Sequence, residues 1–201
     1  MIIICLIIFI LWYYYILPKK DFNNTKEIPK SYFITKTNRI DIQSKYECAA
    51  FSSAYVLRHL GKEVDGNELY KKYPRKLLDG TVMPKGIIRY FKRLGLKASF
   101  YTGNIDTLKR RISEGVPVIA FIKVLPEKRY LHFVPVIGYD EQNLYLAESL
   151  KYLINSNGDF YNRRITIANF EKVWKIWLPF CKNTYISLAI EGEKKDRKYY
   201  Y

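Results

Sequence analysis

Cysteine and histidine are scarce in this 201-residue chain: three cysteines (Cys5, Cys48, Cys181) and two histidines (His59, His132). No C-x-x-C pair or Cys/His cluster occurs, which removes the usual zinc sites, and three scattered thiols are not a disulfide framework. Cys5 sits in an apolar leader, leaving Cys48 with Cys181 as the one pair to consider; a functional thiol is weighed first. No G-x-x-x-x-G-K-[ST] loop exists, so no P-loop ATPase is encoded, and no cofactor is expected. Internal repeats are absent. So is any recognisable nucleic-acid-binding motif, although the net charge is +15, from 34 basic and 19 acidic residues. The basic residues run along the whole chain and read as a solvated lysine-rich face, with a membrane-hugging surface as the next reading and no nucleic-acid partner expected.

Residues Ile2 to Leu17 carry no charge, glycine or proline. Sixteen helical residues span roughly 24 Å, close to a hydrocarbon core. Trp12, Tyr13, Tyr14 and Tyr15 stand where a bilayer interface favours aromatics, and Pro18, Lys19 and Lys20 end the run. A basic n-region and a small-x-small cleavage site are missing, which argues against a cleaved signal peptide. The expectation is therefore one N-terminal transmembrane anchor over residues 1–18. Lys19, Lys20, Lys26 and Lys30 would hold the downstream chain in the cytoplasm. An anchor ahead of a lone domain more commonly serves export, so the side stays open. Residues 19–38 read as a linker, 39–190 as one domain, and 191–201 as a charged tail.

Within the domain, Ser44-Lys45-Tyr46-Glu47 fits a capping box with Ser44 as N-cap, opening a helix to Leu60 that Gly61 ends. A short helix over Asn67–Tyr73, one from Pro84 to a stop at Gly95, and one over Ile105–Glu114 closed by Gly115 come next. β-Branched and aromatic runs then dominate: Leu96–Tyr101, Val116–Val124, Leu131–Gly138, Leu144–Glu148, Arg163–Ile165 and Thr184–Ile190, with a short helix at Ala168–Trp174. Helices first and strands afterwards predict an α+β domain on an antiparallel sheet.

Cys48 falls four residues after the expected N-cap, near free backbone N–H groups and the positive end of the helix dipole, which favour a thiolate. Alone, such a cysteine is more commonly a small buried hydrophobe. His59 lies eleven residues along the same helix, about 16 Å away by helical rise, too far to act as its base. His132 opens a strand whose hairpin partner returns through Asp140-Glu141-Gln142-Asn143. Pairing positions that sum to about 281 brings His132 to Ser149 and Glu148, where a carboxylate would orient the imidazole. A satisfied polar pair is the plainer reading of that contact. Gln43, five residues before Cys48, could join the Cys48 N–H in holding an oxyanion, or could simply face water.

Gln43-Ser-Lys-Tyr-Glu-Cys48-Ala-Ala-Phe-Ser-Ser-Ala-Tyr-Val-Leu-Arg-His-Leu-Gly61 resembles the N-terminal motif of the C39-like peptidases, papain-like enzymes known as double-glycine leader peptidases. Leu108–Val118 is similar to their L-x(5,6)-G-x-P-V segment, and His132-Phe-Val-Pro-Val-Ile-Gly-Tyr-Asp140 to their histidine segment. The resemblance covers roughly residues 35–180. It implies a papain-like fold, a membrane-tethered thiol peptidase acting on a peptide or protein, and a separate exporter as partner. It also implies Cys48 as nucleophile, His132 as base, Glu148 as orienting acid and Gln43 as oxyanion donor. Two positions depart from the pattern: Ala49 stands where the family has Gly, narrowing the cleft if its methyl enters it, and Glu148-Ser149 replaces Asp-Pro. Asp140 is the fallback orienter. A non-cleaving peptide-binding module and a cell-wall amidase or acyltransferase are the rival readings.

Overall fold

The computed structural model describes residues 13–22 and 27–189. The domain begins with two edge pieces, β1 (Lys19–Lys20) and β2 (Tyr32–Phe33). Three helices come next: α1 (Cys48–His59), α2 (Gly66–Lys72) and α3 (Pro84–Arg93). The chain then runs through β3 (Ala98–Thr102), α4 (Ile105–Ser113), β4 (Val118–Lys123), β5 (Leu131–Tyr139) and β6 (Asn143–Leu146). After β7 (Arg163–Thr166), α5 (Ile167–Trp174) and β8 (Thr184–Leu188) complete it. The sheet order is β1-β3-β8-β4-β5-β6-β7, with β2 on β5; every pairing is antiparallel except β1 with β3. This is the α+β architecture the order of helices and strands predicts.

Alternation along the central strands divides the core into two layers. Ile119, Phe121 and Phe133 pack with Ala50, Leu57, Ile87 and Phe91 from α1 and α3. Val118, Ala120, Ile122 and Val134 pack with Leu108 and Ile112 of α4 and Phe170 and Trp174 of α5. Phe121 and Phe133 are cross-strand partners whose rings stack at 4.4 Å. Trp174 is core and donates Nε1–H to the Thr184 carbonyl at 2.8 Å. Trp177, in contrast, is 56% exposed.

Helix α1 is enclosed on nearly all sides, from Ala49 to Arg58. Its two mid-helix serines are accommodated because each finds a partner: Ser52 donates to the Phe133 carbonyl at 2.8 Å, and Ser53 shares a hydrogen bond of 2.6 Å with the Tyr73 hydroxyl. The C-terminus is a Schellman turn, with Gly61 at φ +80° and Lys62 N–H on the Leu57 carbonyl at 3.0 Å. The start differs from the expectation. Ser44 Oγ does donate to Glu47 Oε1 (3.0 Å), and Lys45 N–H to Glu47 Oε2 (2.7 Å), but these close a turn before the helix. Glu47 is the N-cap and Cys48 the first helical residue. The Ser44–Glu47 signature marks a real turn; its carboxylate faces Lys45 rather than the N-cap amide, and the helix begins three residues later.

The N-terminal expectations also change. Among the described residues no helix is long and apolar enough to cross a membrane. Most of the expected anchor, residues 1–12, lies outside them; of its remainder only Tyr13 and Tyr14 are helical, and Tyr15 and Ile16 pack on the domain. Parts of the segment expected as a linker are built into the sheet and core instead. Asp21 is buried, donates its N–H to the Thr102 carbonyl (2.9 Å), and its carboxylate accepts from Arg110, Arg111 and the Tyr185 hydroxyl. Tyr32 and Phe33 pair with Tyr139 and Gly138, where a Cβ on Gly138 would meet the Phe33 ring at 2.7 Å. The tail from 191 onward lies outside the described residues.

Candidate active site

Cys48 sits at the first position of α1, half-buried, with an amide N–H that has no acceptor inside the helix. Across from it, the second residue of β5 is His132, 1% exposed. The His132 ring is hydrogen-bonded to Glu148 on one side, and Cys48 lies near enough on the other to help raise the imidazole. The Glu148 contact uses Nε2, 2.8 Å from Oε1, which leaves Nδ1 for the sulfur. Helix and sheet thus each supply one half of a Cys–His pair.

Glu148 is fully buried and both oxygens of its carboxylate are hydrogen-bonded. Oε1 accepts from His132 and from the Leu150 N–H (2.8 Å), and Oε2 from Arg163 Nη1 (2.8 Å). Asn162 clamps its backbone from both ends: Oδ1 accepts the Glu148 N–H at 2.7 Å, and Nδ2 donates to the Glu148 carbonyl at 2.8 Å. Burial alone would raise this carboxyl; His132 and Arg163 outweigh it and hold it at about 2. Burial likewise pushes His132 down, but the Glu148 charge and the Cys48 contact hold the imidazole up at about 9. Both groups are therefore charged at neutral pH.

Gln43 is buried beside Cys48. Its Oε1 accepts from the Ser149 hydroxyl (2.7 Å), one Nε2 hydrogen goes to the Lys45 carbonyl (2.7 Å), and its backbone N–H reaches the Ser149 carbonyl (3.0 Å). The second Nε2 hydrogen remains for a ligand. Gln43, Cys48 and His132 line one cleft of about 670 Å³. Phe121, Phe133, Leu77, Met83, Tyr130 and Trp177 also line it. A second cavity of about 520 Å³, lined by Arg163, Arg164 and Thr166, contains none of the four residues singled out in the sequence.

The other candidates separate from this site. Asp140 caps the β5–β6 turn, accepting from the Gln142 and Asn143 N–H groups (2.7 and 2.6 Å) and the Tyr145 hydroxyl (2.6 Å), so it does not orient His132. His59 bonds the Gly115 carbonyl at 2.9 Å. Cys48 and Cys181 are both free thiols; burial pushes Cys181 up to about 11. The Ala49 methyl is 1% exposed, packed in the helical layer rather than on the cleft. Sequence reasoning missed Arg163, Asn162 and the Ser149 hydroxyl. An arginine among 34 basic residues offers no signal, and each partner is set by a return of the chain that no spacing reveals.

No curated protein sequence matches this chain at a significant level. Several solved structures share the fold. A putative C39-like peptidase from Bacillus anthracis has a TM-score of 0.63 at 18% identity, over 81% of this chain and 98% of that one. The peptidase domain of Streptococcus ComA, a bi-functional ABC transporter of a quorum-sensing pathway, has a TM-score of 0.59 at 17% identity, over 76% and 98%. A double glycine motif protease from an AMS/PCAT transporter, solved with its leader peptide, has a TM-score of 0.54 at 18% identity, over 77% and 94%. The family model for Peptidase C39 matches residues 36–184, nearly the whole described domain, and the chain belongs to the Peptidase C39 family.

Proposed function

We propose that this chain is a thiol peptidase in which Cys48 is the nucleophile, His132 the acid–base and Glu148 the group that orients and charges His132. The single observation that carries the reading is the continuous line Cys48–His132–Glu148, buried at its acid end and open to the cleft at its sulfur. With His132 held at about 9, the resting pair at neutral pH is imidazolium beside sulfur, which attracts negative charge to Cys48. The thiolate forms a C–S bond to the scissile carbonyl carbon, and the carbonyl π pair moves onto oxygen. That oxyanion faces Gln43 Nε2–H and the Cys48 N–H. Collapse breaks the C–N bond as the imidazolium proton passes to the leaving amine. Water, deprotonated by His132, then attacks the thioester; the C–S bond breaks and the thiolate returns.

The substrate class proposed is a peptide cleaved after Gly-Gly, on the resemblance of the Cys48 and His132 segments and on the leader peptide bound by one relative of the same fold. A separately encoded exporter and a membrane anchor over Ile2–Leu17 belong to the same proposal, the latter on sequence alone. A non-cleaving module is disfavoured, because neither departure from the family pattern disables the line. Ala49 stays out of the cleft, and Glu148 reaches His132.

The test is the rate of Cys48 alkylation by iodoacetamide between about pH 5 and 9, with hydrolysis of a Gly-Gly peptide in parallel. Alkylation that stays fast at about pH 6, and falls about tenfold or more in His132→Ala, supports the pair. Slow alkylation indifferent to His132 would sink it.

A further inference from the structure

We infer that Ser149 is a positioning residue that holds the Gln43 amide as an oxyanion donor. The inference rests on the peptidase reading and adds to it a residue outside the Cys–His–Glu line.

Gln and Asn side chains present a carbonyl and an amine of nearly equal size, so which end faces a ligand is decided by the neighbours of the other end. For Gln43 both neighbours point the same way. The Lys45 carbonyl can only accept, and it takes one Nε2 hydrogen at 2.7 Å. The Ser149 hydroxyl, 5% exposed, donates to Oε1 at 2.7 Å. With Oε1 occupied and one N–H committed, the remaining N–H is the group left for the cleft that Gln43 lines with Cys48 and His132. The backbones are tied too, Gln43 N–H to the Ser149 carbonyl at 3.0 Å, so hydroxyl and amide meet at fixed separation. Ser149 directly succeeds Glu148. One dipeptide therefore serves both halves of the site: Glu148 charges the imidazole, and Ser149 aims the amide. A proline at this position would have no hydroxyl for the task.

Without the hydroxyl, Oε1 is a buried acceptor with no donor, and only the Lys45 carbonyl opposes a turn of that oxygen toward water and the cleft. An oxygen there repels an oxyanion instead of stabilising it. Complete loss of one oxyanion donor typically lowers rate by about 10²–10³-fold. Loss of its positioning should fall short of that, at about tenfold.

Two reactions of the same sulfur separate this role from simple damage. Acylation by p-nitrophenyl acetate forms a C–S bond through a tetrahedral oxyanion and expels p-nitrophenolate. Alkylation by iodoacetamide displaces iodide at a saturated carbon and makes no oxyanion. In the full chain, Ser149→Ala should slow acylation about tenfold and leave alkylation within about twofold of wild type across pH, while Ser149→Thr, which keeps the hydroxyl, should restore acylation. Equal slowing of both reactions, an acylation rate unchanged by Ser149→Ala, or no recovery in a Ser149→Thr protein of native stability would each overturn the proposal. A wild-type sulfur that alkylates slowly and without dependence on His132 overturns the peptidase reading and this inference together. Fast His132-dependent alkylation with no effect of Ser149→Ala on acylation overturns the inference alone.

Discussion

A carboxylate with no exposure needs its charge balanced and its lone pairs filled, or it takes up a proton. At Glu148 both conditions are met by three donors, two of them cationic, and the residue stays ionised down to about 2. Each group then sets its own pH window. Stability from ionised Glu148 is in place above the ordinary carboxylate value of 4.5 and fades as pH falls through about 2. Stability from protonated His132 is in place below 6.5 and fades as pH rises through about 9. In Glu148→Gln the amide cannot balance an imidazolium, and burial then pushes His132 down instead of being outweighed. We expect kcat/KM at neutral pH to fall by about 10²-fold or more, and the alkaline fading of stability to move from near 9 to lower pH. Activity against pH, with thermal midpoints measured over the same range, checks both. At this scale the sequence was legible where residue types are rare. With two histidines, one of them on the helix of Cys48, His132 stood out. The register placed Glu148 near it even though the hairpin sum is 283 beside the turn and 282 beyond the bulge at Val136/Gly138, rather than 281. Continued at 282, that register sets His132 opposite Leu150 and Glu148 on the diagonal, a span a long side chain covers.

Elements with strong punctuation were equally legible. Among the described residues the glycines at positive φ are Gly61, Gly80, Gly95 and Gly115, and three of them end α1, α3 and α4 where a glycine stop was expected. The strap pieces at residues 19–22 and 27–33 were not legible, because two-residue strands have no periodicity to detect and a lone acidic residue in a polar stretch resembles solvent-facing chain. Strand pairing holds the strap at Lys19–Lys20 and Tyr32–Phe33, and at Asp21 the hold is electrostatic. Asp21 Oδ1 accepts from Arg110 Nη2 (2.9 Å) and Arg111 Nη2 (3.1 Å), Oδ2 from Arg111 Nε (2.9 Å) and from Tyr185. Removing one partner from a buried ionic cluster strands the others. Asp21→Ala leaves two largely buried guanidiniums with Glu114 as their remaining carboxylate and should cost about 3 kcal/mol. The urea midpoint should drop with little change in m-value. Burial works against ionised Asp21, but Arg111 and Tyr185 hold its carboxyl below the usual 3.8. The contribution is therefore present above that pH and lost as acid takes the wild type through the lowered value, narrowing its gap from the variant.

At the scale of the whole molecule, the strap fixes where an anchor would deliver the domain. The last residues of the apolar run are docked: the Arg75 guanidinium lies 3.7 Å over the Tyr13 ring, and Tyr15 and Ile16 pack in the layer that includes Leu178. Leu178 and Leu77, two residues after Arg75, both line the cleft. The described end of the apolar run therefore meets the domain beside residues that line the cleft. A net charge of +15 offers a second, weaker way onto an anionic bilayer, and the two are separable by salt. Surface charge interactions are screened within about 3 Å at 1 M ionic strength, whereas burial of an apolar helix is not weakened. If the apolar run leaves its seat on the domain and spans the bilayer over Ile2–Leu17, the full chain should stay with the membrane fraction through about 1 M salt and carbonate at about pH 11, and yield only to detergent. Release by salt alone would leave the basic surface as the whole of the attraction. The cleft would then have to recruit its peptide from solution rather than beside a membrane.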